Sequence, residues 1–403
     1  MKKILAIMLT LIMATSCAAC TGTETSSAPQ ATTTATETTT AAPATDDELE
    51  TLDWVAYNEY NLEEDVPVKN IILMIGDGMG ENIIKASEVV KGDKLVMSGM
   101  PYNTHVTTHS LSVEKGHIGF TDSAASATAL STGVKTYNQY IGVDENEEPL
   151  ETICEFAMNK GLKTGLVARH YVCHATPAGM VAHNSARSSY QQILREMINS
   201  GVNVMFGGGG QYYKDSKKTR TAVEENNYKY ITTEEELLAL EGNEEKVLGM
   251  FAFDNMGSAT HDPQLPVMTE KALDLLDNEN GFFLMVEGSN IDVYAAQEDM
   301  NETLEQMKSF DESVDCVLRW AEKHPGTLVI VTADHETGGV MVPENAKPED
   351  ITDECFTSDG EHTNTNVLVM TAGANSKGLC EQELIDNTDI AKYMRKVLEE
   401  SHA

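Results

Sequence analysis

Basic residues are scarce in this sequence: Lys and Arg number 28 against 64 Asp and Glu, a formal net charge of -36 at pH 7. So acidic a chain repels nucleic acid and anionic membrane surfaces, which sets both aside as partners. It fits a secreted protein and leaves many carboxylates available for cations. Cysteine is equally uninformative as a framework. Of 7 cysteines, Cys17 and Cys20 lie near the start, leaving Cys154, Cys173, Cys316, Cys355 and Cys380. That odd set has no C-x-x-C spacing, so it gives neither a zinc ribbon nor a complete disulfide framework, although one bridge stays open. No internal repeat and no Pro/Gly/Ser-rich break interrupts the chain beyond residue 48, so the remainder reads as one domain.

Long apolar runs are also missing, apart from residues 4–13 behind Met1-Lys2-Lys3. This is a charged n-region followed by an apolar h-region too short to be a comfortable membrane anchor, and residues 1–20 read as a signal peptide. The small residues Ala14-Thr15-Ser16-Cys17-Ala18-Ala19-Cys20 resemble a bacterial lipobox, although neither cysteine has Leu three places before it. Diacylation of Cys17 or Cys20 would tether the mature chain to the outer face of a membrane. A plain cleaved signal is the alternative. Either way the expected location is extracytoplasmic, at the cell surface or secreted. Residues 21–48, rich in Thr, Ala and Ser, carry no apolar periodicity and read as a disordered linker. Residues 49–403 are the expected catalytic domain.

Within that domain, apolar runs repeatedly stop at Asp, Glu or His. Val68-Lys69-Asn70-Ile71-Ile72-Leu73-Met74-Ile75 ends in Gly76-Asp77-Gly78 and precedes a helix-like stretch at residues 81–90. Phe282-Phe283-Leu284-Met285-Val286 ends at Glu287, with Asp292 in the following turn. Thr327-Leu328-Val329-Ile330-Val331-Thr332-Ala333 ends at Asp334-His335, and Glu361-His362 precedes Val367-Leu368-Val369-Met370. A shorter run, residues 162–168, leads towards His174 and Thr176. Continuous apolar runs suit strands buried on both faces. Helical patterns at residues 190–200, 269–277 and 303–323 lie between them. The alternation predicts an α/β fold, with a central, mostly parallel sheet flanked by helices on both faces. In such sheets ligands bind at the C-terminal ends of the strands. A single Asp there is commonly a helix N-cap, but several acids and imidazoles on one sheet edge would have to protonate or bind cations.

The stretch Gly119-Phe120-Thr121-Asp122-Ser123-Ala124-Ala125-Ser126-Ala127-Thr128-Ala129 places a serine at the mouth of a slim helix. The bland reading is an Ala-rich core helix with Ser123 as an ordinary N-cap. The functional reading is a nucleophile, which needs an activating base or metal because a serine hydroxyl is weak at neutral pH. Mixed imidazole and carboxylate ligands suit zinc, and oxygen ligands alone suit magnesium. Two cations roughly 3.5–4 Å apart would clamp the attacking and leaving oxygens of a displacement. Arg187 is either a surface ion-pair partner or a fork that grips two oxygens of a tetrahedral anion.

Ile75-Gly76-Asp77-Gly78-Met79-Gly80, the serine stretch, Ala175-Thr176-Pro177-Ala178, Val286-Glu287-Gly288 with Ile291-Asp292, Thr332-Ala333-Asp334-His335-Glu336 and Glu361-His362-Thr363 together resemble the bacterial alkaline phosphatase family. Lys135-Thr136-Tyr137-Asn138 and Ile141-Gly142-Val143 match it as well. The resemblance implies that Ser123 becomes a phosphoserine and that Arg187 holds the phosphate. It implies a zinc at Asp77, Asp334 and His335, a second zinc at Asp292 and His362, and a magnesium at Asp77, Thr176 and Glu287. Substrates would be phosphate monoesters, releasing inorganic phosphate, and a homodimer is an open expectation. His174 is expected beside the metal ligands rather than among them. One departure stands out: the family has a histidine four residues after the aspartate at Asp292, and this chain has Ala296. That site would take water, recruit a histidine such as His170, His183 or His261, or bind metal weakly. The rival to a phosphomonoesterase is therefore a phosphate- or metal-binding lipoprotein with little turnover.

Overall fold

The protein is described by a computed structural model over residues 52–401, so the expected signal, lipobox and linker lie outside the described residues. The strands are β1 Asn70–Gly76, β2 Tyr102–Thr107, β3 Lys163–Tyr171, β4 Val204–Gly208, β5 Lys229–Ile231 and β6 Val247–Met250. They continue with β7 Phe282–Gly288, β8 Thr327–Ala333, β9 Glu336–Thr337, β10 His362–Thr363, β11 Val367–Gly373 and β12 Leu384–Asp386. Ten of them form one sheet in the order β12-β2-β11-β8-β1-β7-β3-β4-β6-β5, and β9 and β10 make a separate two-stranded ladder.

The centre of the sheet explains its composition. Ile71, Ile72, Leu73, Met74 and Ile75 of β1 are each 0% exposed. Successive strand residues point to opposite faces, so an unbroken apolar run is what a strand covered on both sides requires. Each such side chain contributes about 1.5–3 kcal/mol on burial. β1 pairs in parallel with both β7 and β8. Parallel pairing continues through β3, β4, β6 and β5. One departure from that pattern is β11, which runs antiparallel to β8 and β2. The covering helices fall into two groups. Met300–Ala321 packs with Glu81–Lys91 and Leu265–Leu276, while Ser123–Thr132 packs with Asn387–Ser401, Ala175–Gly179 and Ile153–Asn159.

The serine-bearing helix is as slim as its composition suggests. A Cβ on Gly179 would fall 2.7 Å from Ala127 Cβ, so the two helices touch nearly backbone to backbone. Its N-cap is Asp122, whose side chain accepts from Ala125 N, and Ser123 is the first helical residue. The ordinary N-cap reading of Ser123 is thereby replaced. The open disulfide is also resolved: all five described cysteines are free thiols, and four of them are buried.

Candidate active site

The register of three adjacent parallel strands builds the site. Gly76 of β1 lies opposite Gly288 of β7 and Ala333 of β8, and Ile75 lies opposite Glu287. Asp77, Glu287 and Asp334 therefore emerge at neighbouring strand tips, with exposures of 1%, 0% and 0%. Gly78 follows at φ 71°, where a Cβ would sit 2.8 Å from Thr337 Oγ1 and 3.1 Å from the Asp292 Cα. Only glycine allows this turn and this close approach together. Its N–H donates to Asp334 Oδ1 at 3.1 Å.

The structure brings every predicted ligand to this edge. His335 Nε2 lies 3.4 Å from Asp77 Oδ1 and 3.2 Å from Asp334 Oδ2. Ser123 Oγ is 3.4 Å from the same nitrogen. His362 Nε2 is 3.5 Å from Asp292 Oδ1, and the rings of His335 and His362 stack with centroids 3.6 Å apart. Three donor sets each have ligand atoms within 4.8 Å of one another: Asp77, Asp334 and His335; Asp292, His335 and His362; and Asp77, His174 and Glu287. Thr176, fully buried, is the second residue of the short helix Ala175–Gly179 that follows β3.

Arg187 is a neighbour of the serine rather than a surface residue. Its guanidinium donates to Asp122 Oδ2 at 3.0 Å and lies 3.3 Å from His174 Nε2. Asp122 Oδ2 also accepts from Gln139 N at 2.9 Å. One carboxylate thus caps the serine helix and fixes the arginine. Sequence reasoning left Asp122 without a role, although an acid at the N-cap position was visible there.

The electrostatics fit cations. Asp77 Oδ1, both Glu287 oxygens, Asp334 Oδ2, Thr176 Oγ1 and His174 Nδ1 are buried without an aligned hydrogen-bond partner. Uncompensated buried carboxylates are costly, and crowding raises their affinity for protons or metal. Burial, and then the charge of Asp334, holds the Asp77 carboxyl well above its usual range. Burial pushes Glu287 up to about 7. Burial also lowers His335, against the pull of Asp334. Asp292 behaves oppositely: burial would raise it, but the His362 bond and the two nearby imidazoles hold it down. His362 rises to about 9, the Asp292 interaction outweighing its burial. Zinc fits the mixed sets, and a hard cation fits the oxygen atoms of Asp77, Glu287 and Thr176.

Of the alternatives at Ala296, recruitment of His170, His183 or His261 finds no support: none of them joins a metal-type set among the described residues. Ala296 N donates to Asp292 O at 2.8 Å, so it occupies the next helical turn, where it is exposed. His183 is engaged by Glu155 and Gly142. His170 stacks on His174, with ring centroids 4.1 Å apart. The side chain of His261 is exposed, and its carbonyl receives Arg169. The imidazole with a ligand atom within 4.8 Å of those of Asp292 and His362 is that of His335, which the set of Asp77 and Asp334 shares. His174, expected beside the ligands, has a ring nitrogen within 4.8 Å of ligand atoms of Asp77 and Glu287.

A serine at a helix start, set among acids and imidazoles at the tips of a parallel sheet, defines the class: an α/β protein with a serine-centred site lined by metal-type donor sets. The chain matches the alkaline phosphatase family over residues 68–355, well over half its length, and belongs to that family. Alkaline phosphatase 4 of Bacillus subtilis (strain 168) is 36% identical over 304 residues, spanning 71% of this chain and 65% of that protein. The alkaline phosphatase of Escherichia fergusonii is 32% identical over 410 residues, spanning 83% and 86%. Among solved structures, the cold-active alkaline phosphatase from Shewanella sp. superposes with a TM-score of 0.73 at 30% identity, over 82% of this chain and 99% of that one. A TAB5 alkaline phosphatase mutant with Mg bound has a TM-score of 0.71 at 27% identity, over 84% and 99%.

Proposed function

We propose that the chain hydrolyses phosphate monoesters through a phosphoserine on Ser123, releasing inorganic phosphate. The observation that carries this reading is Ser123 Oγ, 3.4 Å from His335 Nε2, the nitrogen that also faces the buried oxygens of Asp77 and Asp334. Zinc at Asp77, Asp334 and His335, zinc at Asp292 and His362, and magnesium at Asp77, Thr176 and Glu287 would supply Lewis-acid stabilisation of the serine and leaving oxygens. Arg187, oriented by Asp122, grips two phosphoryl oxygens and sets the phosphorus in line with Ser123 Oγ. Ser123 gives its proton to solvent as Oγ forms the new P–O bond and the ester P–O bond breaks, and the departing alkoxide takes a proton from solvent. Water then attacks phosphorus, the Ser123 O–P bond breaks, and a proton from that water passes to Ser123 Oγ as phosphate leaves. A site that grips chiefly the phosphoryl group accepts many alcohols.

The extracytoplasmic location and the lipid anchor at Cys17 or Cys20 belong to the same proposal and rest on the sequence pattern alone. The test is hydrolysis of a chromogenic phosphomonoester by the wild type and by Ser123→Ala, with metal content measured in parallel. The variant is expected to lose about 10³-fold or more in kcat. A wild type that binds phosphate but turns nothing over would return the binding-lipoprotein reading.

A further inference from the structure

Thr337 lies between the two zinc-type donor sets, and we infer that its hydroxyl positions both, fixing the tautomer of His335 and the orientation of Asp292. The inference rests on the metal-dependent reading above. Thr337 is fully buried. It faces His362 across the β9–β10 ladder, and its N–H donates to Gly78 O at 3.1 Å. Its Oγ1 is 2.5 Å from Asp292 Oδ1 and 3.2 Å from His335 Nδ1.

A hydroxyl has one proton to give, and an ionised carboxylate can only accept. The proton therefore goes to Asp292. The oxygen then meets His335 Nδ1 with a lone pair, which requires Nδ1 to carry the ring proton. That assignment leaves a bare lone pair on Nε2, the atom 3.4 Å from Asp77 Oδ1 and 3.2 Å from Asp334 Oδ2. The opposite tautomer would set two lone pairs against each other at Thr337 and aim an N–H at the metal position. The same hydroxyl holds the Asp292 oxygen that lies 3.5 Å from His362. One side chain thus couples the two sets. It has room to do so because Gly78 bears no Cβ. Outer hydrogen bonds of this kind commonly set 10–100-fold of metal affinity.

The test uses the full chain carrying Thr337→Val, which keeps the shape and removes the hydroxyl, and Thr337→Ser, which keeps the hydroxyl. Zinc affinity is read by competition with a chromophoric chelator, and the His335 tautomer by ¹⁵N-edited NMR. Thr337→Val is expected to bind zinc about 10–100-fold more weakly and to lose the Nδ1–H signature. Thr337→Ser is expected to restore both. Wild-type affinity in Thr337→Val, or an Nε2-protonated His335 in the metal-free wild type, overturns the inference. The second readout needs no variant to fold. A wild type that binds no zinc overturns the function proposed above as well, so the two failures are distinguishable.

Discussion

The two zinc-type sets around Ser123 are built differently. Asp77 and Asp334 sit at the tips of adjacent core strands, with His335 next in the chain, and none is more than 1% exposed. Asp292 and His362 come from a six-residue helix and a two-residue strand, and each side chain is 21% exposed. Their charges differ too. In the closed set, burial and mutual repulsion drive Asp77 upward, so the group is short of positive charge. In the open set, His362 and Asp292 shift in opposite directions and already satisfy each other as an ion pair. Sheet register dictates the closed set, whereas the open set rests on a short helix, a two-residue ladder and single hydrogen bonds. Ala296, exposed one turn beyond Asp292, belongs to the open side of this comparison.

The sharpest break in this comparison comes from Asp77→Ala against His362→Ala. Asp77 belongs to two donor sets, and its loss is expected to reduce kcat/KM by about 10³-fold and to empty the closed set of metal. His362→Ala is expected to cost about 10–100-fold while the closed set keeps its metal. Elemental analysis beside initial rates separates the two, and equal metal loss in both variants would contradict the asymmetry. Smaller is the effect of Ala296→His, which adds an imidazole one turn from Asp292. Zinc affinity of the open set is expected to rise by about 10-fold or more, with the closed set unchanged. Unchanged affinity would show that the exposed turn does not face the cation.

The smallest effect belongs to a pair outside both sets, His183 with Glu155 at 3.1 Å. Burial opposes the charge on His183, but the Glu155 bond and the Gly142 carbonyl raise its pKa above the ordinary 6.5. Burial likewise opposes Glu155, which its bonds to His183 and Thr152 hold below the ordinary 4.5. The His183 contribution is complete below pH 6.5 and is lost as pH rises through its folded value. The Glu155 contribution is complete above pH 4.5 and is lost as pH falls through its folded value. Thermal melts of metal-free His183→Gln should therefore show a deficit below about 1 kcal/mol, largest between pH 4.5 and 6.5. An equal deficit at pH 9 would assign the effect to packing alone.

The strand-tip acids were legible in the sequence because an apolar run that stops at an acid carries its own geometry. Asp77, Glu287 and Asp334 needed only the expectation of adjacent parallel strands. Arg187 and Ser123 were legible through the resemblance, and the structure adds the Asp122 carboxylate that joins them. Thr337 could not be read, since its importance comes from contacts with Asp292, 45 positions away in the chain, and with His335. β4 and β6, five and four residues long, gave too short a pattern to distinguish from loop. The reversed direction of β11 was equally silent, because a buried strand reads alike in either orientation.

The five unpaired thiols have a practical corollary. With no covalent cross-link among the described residues to form or lose, their fold is expected to survive reductants that would dismantle a bridged exoenzyme. The domain can thus be produced in a reducing cytosol, and an alkylating reagent applied to the native protein should label Cys380 ahead of the four buried sulfurs.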